Sequence, residues 1–313
     1  MRIEVYNQSD KQQWDDFVRG SKNGTFLFFR DYMDYHSDRF ADNSLLIFDD
    51  KDQLLALLPA NEKDNALVSH GGLTYGGFIT DERMKTSVML EIFERAVRFL
   101  KENNFAKLIY KAVPHIYHRV PGEEDIYALF RFEAALTRRD VAATVALPNK
   151  IGFQERRSRA VKKAQSNKID CRISDDYASY WQILEENLQA VHGVKPVHSL
   201  SEIEGLKASF PDNIKLYAAF LDEKMIAGTV IYETTQVAHA QYIASSNNGR
   251  ALGALDLLFH GLITEIYLEK AFFDFGIATE NDGKILNFGL MDFKEGFGGR
   301  AIAYDFYEIN LKS

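Results

Sequence analysis

One plan of secondary structure is written twice along this chain, and that repetition limits what it can fold into more than any other feature. In the first half, residues 44–48 (SLLIF) read as a strand, Asp49-Asp50-Lys51-Asp52 as a turn and residues 53–59 (QLLALLP) as the hairpin partner. In the second half, residues 215–221 (KLYAAFL), Asp222-Glu223-Lys224 and residues 225–232 (MIAGTVIY) repeat it. After the first hairpin come a Gly-rich strand and loop over 68–79 (VSHGGLTYGGFI), an amphipathic helix over 83–103 and a strand over 106–112. After the second come a strand over 237–244 (VAHAQYIA), a loop over 245–249, a helix over 252–270 and a strand over 271–276 (AFFDFG). Asp50 and Glu223 are offset by almost the same number of positions as Gly77 and Gly249, which reads as an internal duplication.

Alternating strands and helices give an α/β or mixed α+β fold. Two domains follow, 1–147 and 148–313, divided near Leu147-Pro148-Asn149, where an extended segment over 140–147 meets a proline and then a helix. The balance of 37 Lys and Arg against 45 Asp and Glu, net −8, repels a polyanion at long range and makes sequence-specific DNA binding a poor reading. Cys171 has no second cysteine to pair with, and residues 1–20 lack the apolar run of a signal peptide, so a cytoplasmic chain is expected. No apolar stretch reaches the ~20 residues that span a bilayer.

In each half a strand is expected to run through a Gly turn into a helix, which aims free N–H groups and the positive helix end at whatever sits in the loop. The second such loop, Asn247-Asn248-Gly249-Arg250-Ala251-Leu252-Gly253-Ala254, resembles the acyl-donor segment of the GNAT superfamily of N-acyltransferases, with Leu255 standing where that signature ends in a small residue. The tandem arrangement resembles the FemAB-like branch in particular. Residues 156–163 (RRSRAVKK), 241–245 (QYIAS) and 292–298 (DFKEGFG) support it. The resemblance implies two tandem GNAT-like domains and transfer of an acyl or aminoacyl group to an amine of a cell-envelope precursor, such as one of peptidoglycan. It implies acyl-CoA (acetyl-CoA) or aminoacyl-tRNA as donor, with Gly249, Arg250, Gly253 and Ala254 holding the donor. The long helical arm common among tRNA-using members is absent, since no heptad run of ~40 residues occurs.

Acyl transfer to an amine needs a proton acceptor and donors aimed at the developing oxyanion. Simple alternation along 237–244 places His239 and Tyr242 on opposite faces, so one or the other reaches the cleft. Glu280 follows the strand over 271–276, where strand ends face ligands in open α/β sheets, and is a general-base candidate. Lys294, between Phe293 and Phe297, has an apolar collar for its stem and can hold its ammonium toward a phosphate or oxyanion. The resemblance gives the matching lysine a substrate contact.

Residues 150–168 hold seven basic residues and the single acid Glu155. On a helix Arg156, Arg159 and Lys163 make one stripe, suited to a nucleotide- or lipid-linked precursor or to tRNA, though a solvated face explains it equally well. His70 and Tyr75, within a run holding four glycines in seven positions, are expected to wall an acceptor site between the domains. His115 and His118 lack partners at metal-ligand spacing, and no metal is expected. The alternative to an enzyme is a binding or scaffold protein that keeps the fold without catalysis.

Overall fold

The computed structural model describes residues 1–312. They form two compact units. The first comprises Met1–Asp140, Glu280–Ile285 and the chain from Ala303 on, and the second comprises Val141–Thr279 and Leu286–Ile302.

In the first unit β1 (Arg2–Val5), β2 (Leu45–Phe48), β3 (Leu54–Leu58) and a two-residue strand at Ile79–Thr80 make an antiparallel sheet, with β2 and β3 as the expected hairpin. A parallel pair stands beside it. In that pair β4 (Ala66–Val68) and β5 (Lys107–Lys111) match Ala66 with Lys107 and Val68 with Ile109. Parallel neighbours need a crossover, and α1 (Thr86–Glu102) supplies it. Its buried residues Met89, Ile92, Phe93, Ala96 and Leu100 fall on one face at helical spacing. They close a core with Leu45, Ile47, Leu58, Leu67, Leu108 and Tyr110. One expectation fails here. The Gly-rich loop does not lead into a helix N-terminus, because the chain first makes the strand at Ile79–Thr80 and α1 begins only at Thr86.

In the second unit β6 (Ala135–Ala146, its residues from Val141 on) is followed by α2 (Glu155–Ser166), β7 (Asp170–Ser174) and α3 (Tyr177–His192). Then β8 (Ile214–Leu221), β9 (Lys224–Glu233) and β10 (Val237–Ser245) run antiparallel from β7. After β10 come α4 (Asn247–Leu252) and α5 (Ala254–Gly261), then β11 (Phe272–Ile277), which pairs parallel with β10 and antiparallel with β6. Helix α6 (Phe288–Glu295) closes the series. Leu258, Phe259, Leu262, Phe273, Phe275 and Phe297 fill one side of this sheet. On the other side α3 lays Trp181 edge-on against Tyr242.

The single helix expected over 252–270 is broken. Gly253 ends α4 in the left-handed conformation (φ +76°), and a Cβ on it would lie 2.7 Å from the Ala160 carbonyl oxygen of α2. Among the described residues no helix is long and apolar enough to cross a membrane.

Candidate functional site

Strands β10 and β11 run together for three rungs and then part. The rungs are Val237 with Phe272, Ala238 with Phe273 and His239 with Asp274. Each strand is irregular just beyond the last rung. On β10 the pairing with β9 jumps from Ile231–Ala240 to Val230–Tyr242, which leaves Gln241 as an extra residue. On β11 the pairing with β6 slips between Asp274–Thr144 and Ile277–Ala142, where Gly276 takes φ +71°. An extra residue bends a strand and increases its twist, so the ladder opens directly after the His239–Asp274 rung.

The bulge corrects the face assignment drawn from plain alternation. His239 lies opposite Tyr232 and Tyr242 opposite Val230. Tyr232 and Val230 are two apart on β9, so His239 and Tyr242 share a face, the one toward α3. There the Tyr242 hydroxyl meets Nδ1 of the buried His198.

Asp274 is fully buried, in the middle of an otherwise apolar strand. His239 Nδ1–H donates to its Oδ2 at 2.8 Å. Its Oδ1 accepts from Thr144 Oγ1 at 2.8 Å and from the Gly276 N–H at 3.0 Å. A carboxylate can only accept, so this pairing puts the His239 proton on Nδ1 and leaves Nε2 in the acceptor form. Neither Asp274 nor Thr144 was singled out in the sequence. The available signal was an acid inside AFFDFG, because a charge in a buried strand must have partners.

Lys294 of α6 is 3% exposed. Its Nζ donates to the carbonyl oxygens of Gly276 at 2.8 Å and Ile277 at 2.6 Å, so the ammonium sits at the end of β11. Burial brings its pKa down to about 8, against the attraction of Asp274. The rings expected to collar it serve another side chain. The Arg157 guanidinium lies 4.5 Å from the Phe293 ring centre and 5.1 Å from that of Phe297, and it pairs with Asp256 at 3.0 Å.

At the start of α4 Ser246 Oγ accepts from the Gly249 N–H at 3.1 Å. A Cβ at Gly249 would lie 2.4 Å from the Ile226 carbonyl oxygen, so glycine there lets α4 rest on β9. Arg250 is bound to Asn187 and Asn247, and Ala254 is buried in the core beside α2. Next to Ser246 a pocket of about 300 Å³ is lined by Asp176, Glu186, Glu223 and Lys224, with Phe220 and Met225.

The remaining expected residues are spread out. Glu280 is exposed on the short strand Thr279–Glu280 and belongs to the first unit, whereas Lys294, His239 and Tyr242 belong to the second. His70 and Tyr75 are each 2% exposed within the first unit, so neither presents an open wall. The His70 ring stacks on His36 at 5.4 Å, and burial, with repulsion from His36 and Lys111, lowers its pKa to about 3. Tyr75 donates to Thr25 Oγ1 at 3.2 Å. On α2 Arg156 pairs with Asp292 at 2.6 Å and Arg159 with Glu155 at 2.6 Å, while Lys163 is exposed.

Residues 153–295 match the family model described as the acetyltransferase (GNAT) domain. No curated protein matches the chain. Solved structures do, over nearly the whole length. FemX superimposes with a TM-score of 0.70 at 11% identity, covering 99% of this chain and 97% of that one. L-PGS from Bacillus licheniformis gives 0.62 at 12% identity, covering 97% and 93%. A tandem GNAT protein from the clavulanic acid biosynthesis pathway gives 0.52 at 12% identity, covering 100% and 99%. At such identities these likenesses show the fold. Together with the family match they place a GNAT-type acetyltransferase domain in the second half of the chain, over residues 153–295. Over the whole chain the fold is like that of FemX and of the tandem GNAT protein.

Proposed function

We propose that the second unit transfers an acyl or aminoacyl group to the amine of a small precursor, such as one of the cell envelope, with His239 as proton acceptor. The observation that carries this reading is the His239–Asp274 pair on the last rung before β10 and β11 part. A neutral amine attacks the acyl carbonyl, forming the C–N bond, and His239 Nε2 takes the proton that the nitrogen loses. Asp274 stabilises the imidazolium through Nδ1–H. When the tetrahedral intermediate collapses, the bond to the leaving thiol or ester oxygen breaks, and the imidazolium returns the proton to it. Lys294 acts by its positive charge beside this pair and by fixing the Gly276 and Ile277 carbonyls.

The pocket beside Ser246 bears on the donor. With Asp176, Glu186 and Glu223 against Lys224, it opposes a pyrophosphate and attracts an ammonium. The pocket thus suits the ammonium of an aminoacyl group, while the phosphates of CoA and of tRNA alike must lie elsewhere. The test is acyl-amine formation, read by mass spectrometry, from acetyl-CoA and from aminoacyl-tRNA with a panel of primary amines. His239→Gln and Asp274→Asn are expected to lose transfer while melting normally. Wild-type rates in both would remove the reading, and faster turnover of acetyl-CoA than of aminoacyl-tRNA would reverse the donor assignment.

A further inference from the structure

Helix α3 carries one side chain, Asn187, that ties together three parts of the second unit. Its Nδ2 donates to the Ile183 carbonyl one turn back at 2.7 Å and to the Ser245 carbonyl, the last of β10, at 2.9 Å. Its Oδ1 accepts from the guanidinium of Arg250 on α4. A carbonyl can only accept and a guanidinium can only donate, so the amide has one workable orientation. Both of its donors are in use, and so is its acceptor. No sequence pattern marks this residue, because the partners come from three segments far apart in the chain.

The corner that Asn187 reaches is also held from its other side. The Ser246 N–H donates to the Ile226 carbonyl of β9 at 2.8 Å, and Ser246 Oγ accepts from the Gly249 N–H at 3.1 Å. The passage from β10 into α4 is thereby fixed to the sheet by Ile226 and to α3 by Asn187. Arg250 brings a charge to this tie. Arg156, Arg157, Arg159 and Arg172 of the same unit each pair with a carboxylate. Arg250 instead meets two amide oxygens, that of Asn187 and that of Asn247, the second at 2.8 Å. An amide oxygen orients a guanidinium without cancelling its charge, whereas a carboxylate does both. Arg250 is exposed, so the uncancelled charge is open to a ligand.

The resemblance to GNAT enzymes gives Arg250 a donor contact and says nothing of what holds it. We infer that Asn187 is a positioning residue for the donor, fixing the Arg250 guanidinium, uncompensated, for a phosphate of the kind that coenzyme A and tRNA both carry. The inference rests on the second unit holding the donor, as read above. It gives the donor's phosphate a place outside the acidic pocket beside Ser246, whose carboxylates oppose it.

The experiment is equilibrium binding, without turnover, of free coenzyme A and of deacylated bulk tRNA to the full chain. At least one of the two is expected to bind, more weakly as salt is raised, and which one does so names the source of the phosphate. Asn187→Leu should weaken that binding about tenfold, as should Arg250→Ala. The double variant should bind within about threefold of Arg250→Ala alone, because Asn187 acts through Arg250. An asparagine that only supports the fold would weaken binding by the same factor in both backgrounds, or lower the melting temperature with no change in binding. Asn247→Ala, at an exposed position, removes the other amide and should weaken binding about threefold, which keeps the test decisive where Asn187→Leu fails to fold. His239→Gln should bind as the wild type does, so a protein that binds but transfers nothing refutes the reaction and leaves the role of Asn187 intact. Binding of neither ligand overturns the inference. So do wild-type binding by Asn187→Leu, wild-type binding by Asn247→Ala, and additive losses in the double variant.

Discussion

Each unit buries one lysine against two backbone carbonyls, and the two lysines lie in very different company. Lys111, at the end of β5, is 6% exposed and donates to the carbonyls of His70, at 3.0 Å, and Leu73. Burial, with Arg138 also opposing its charge, lowers its pKa to about 7. Lys294 is buried as deeply, with a pKa near 8. Around Lys111 lie rings with no proton to take up near neutral pH, since His70 is held at about 3. Beside Lys294 lies the His239–Asp274 pair, at the point where two strands separate. A buried lysine is thus common to both units. What distinguishes the second unit is an oriented histidine next to an opening in the sheet.

The sharpest way to break this comparison is to remove the histidine's partner. Asp274→Asn should lower turnover about 10³-fold, because the amide can present Nδ1 with the wrong group and leave the imidazole in the wrong tautomer. Steady-state rates on folded protein check it, and a loss under tenfold would place the chemistry elsewhere. Next in size, Lys294→Met should cost about 10²-fold in kcat and remove any limb of the pH–rate profile near 8. A profile unchanged in shape would leave Lys294 a structural group like Lys111. Thr144→Val should cost about tenfold in kcat at an unchanged KM, since Asp274 Oδ1 loses a donor that helps orient it. A shift in KM alone would deny Thr144 a positioning role.

Lys111→Met should act on stability, lowering it by about 1–3 kcal/mol as two buried carbonyls lose their donor. The pH dependence has a definite sign. A lysine whose folded pKa is about 7 binds fewer protons than the unfolded chain between there and 10.5, so stability rises with pH across that window. Denaturant unfolding between pH 6 and 10 should show that rise in the wild type and a shallower one in Lys111→Met. Smallest in consequence for turnover, Gly249→Ala should destabilise by about 1–3 kcal/mol, because its Cβ would lie 2.4 Å from the Ile226 oxygen and 2.5 Å from Ser245 Oγ. A thermal melt matching wild type would mean that α4 lifts off β9 freely.

The repeated plan was legible because it rests on short-range signals. Polar turn residues adopt the left-handed region where expected, Asp52 at φ 58°, Asp222 at φ 47° and Glu223 at φ 60°. The apolar runs beside them are nearly continuous, as in strands covered on both faces. The bulge at Gln241 was not legible, since an inserted residue leaves no compositional mark and is defined only by the partner strand. Its consequence was large, for it turned His239 and Tyr242 to one face. Strand β6 begins at Ala135, earlier than the extended segment foreseen from residue 140, because Arg138 and Arg139 interrupt the apolar pattern. Both find carboxylates, Arg138 at Asp140 and Arg139 at Asp305. Gly253 read as a small residue of a donor loop, yet its position is demanded by a left-handed helix end and the approach of Ala160. Lys294 is buried, but Phe293 and Phe297, expected to collar it, lie against Arg157. Which way Lys294 turned was decided by the carbonyls of Gly276 and Ile277, which no local pattern encodes.

We place the chemistry on the oriented histidine of the second unit and not on Lys111 of the first. The most direct measurement is acyl-amine formation by His239→Gln and Lys111→Met, side by side with wild type, at a temperature where melting curves show all three folded. Loss of at least about 10²-fold in His239→Gln with less than a threefold change in Lys111→Met is the predicted result. Retained turnover in His239→Gln, or a comparable loss in Lys111→Met, would contradict it.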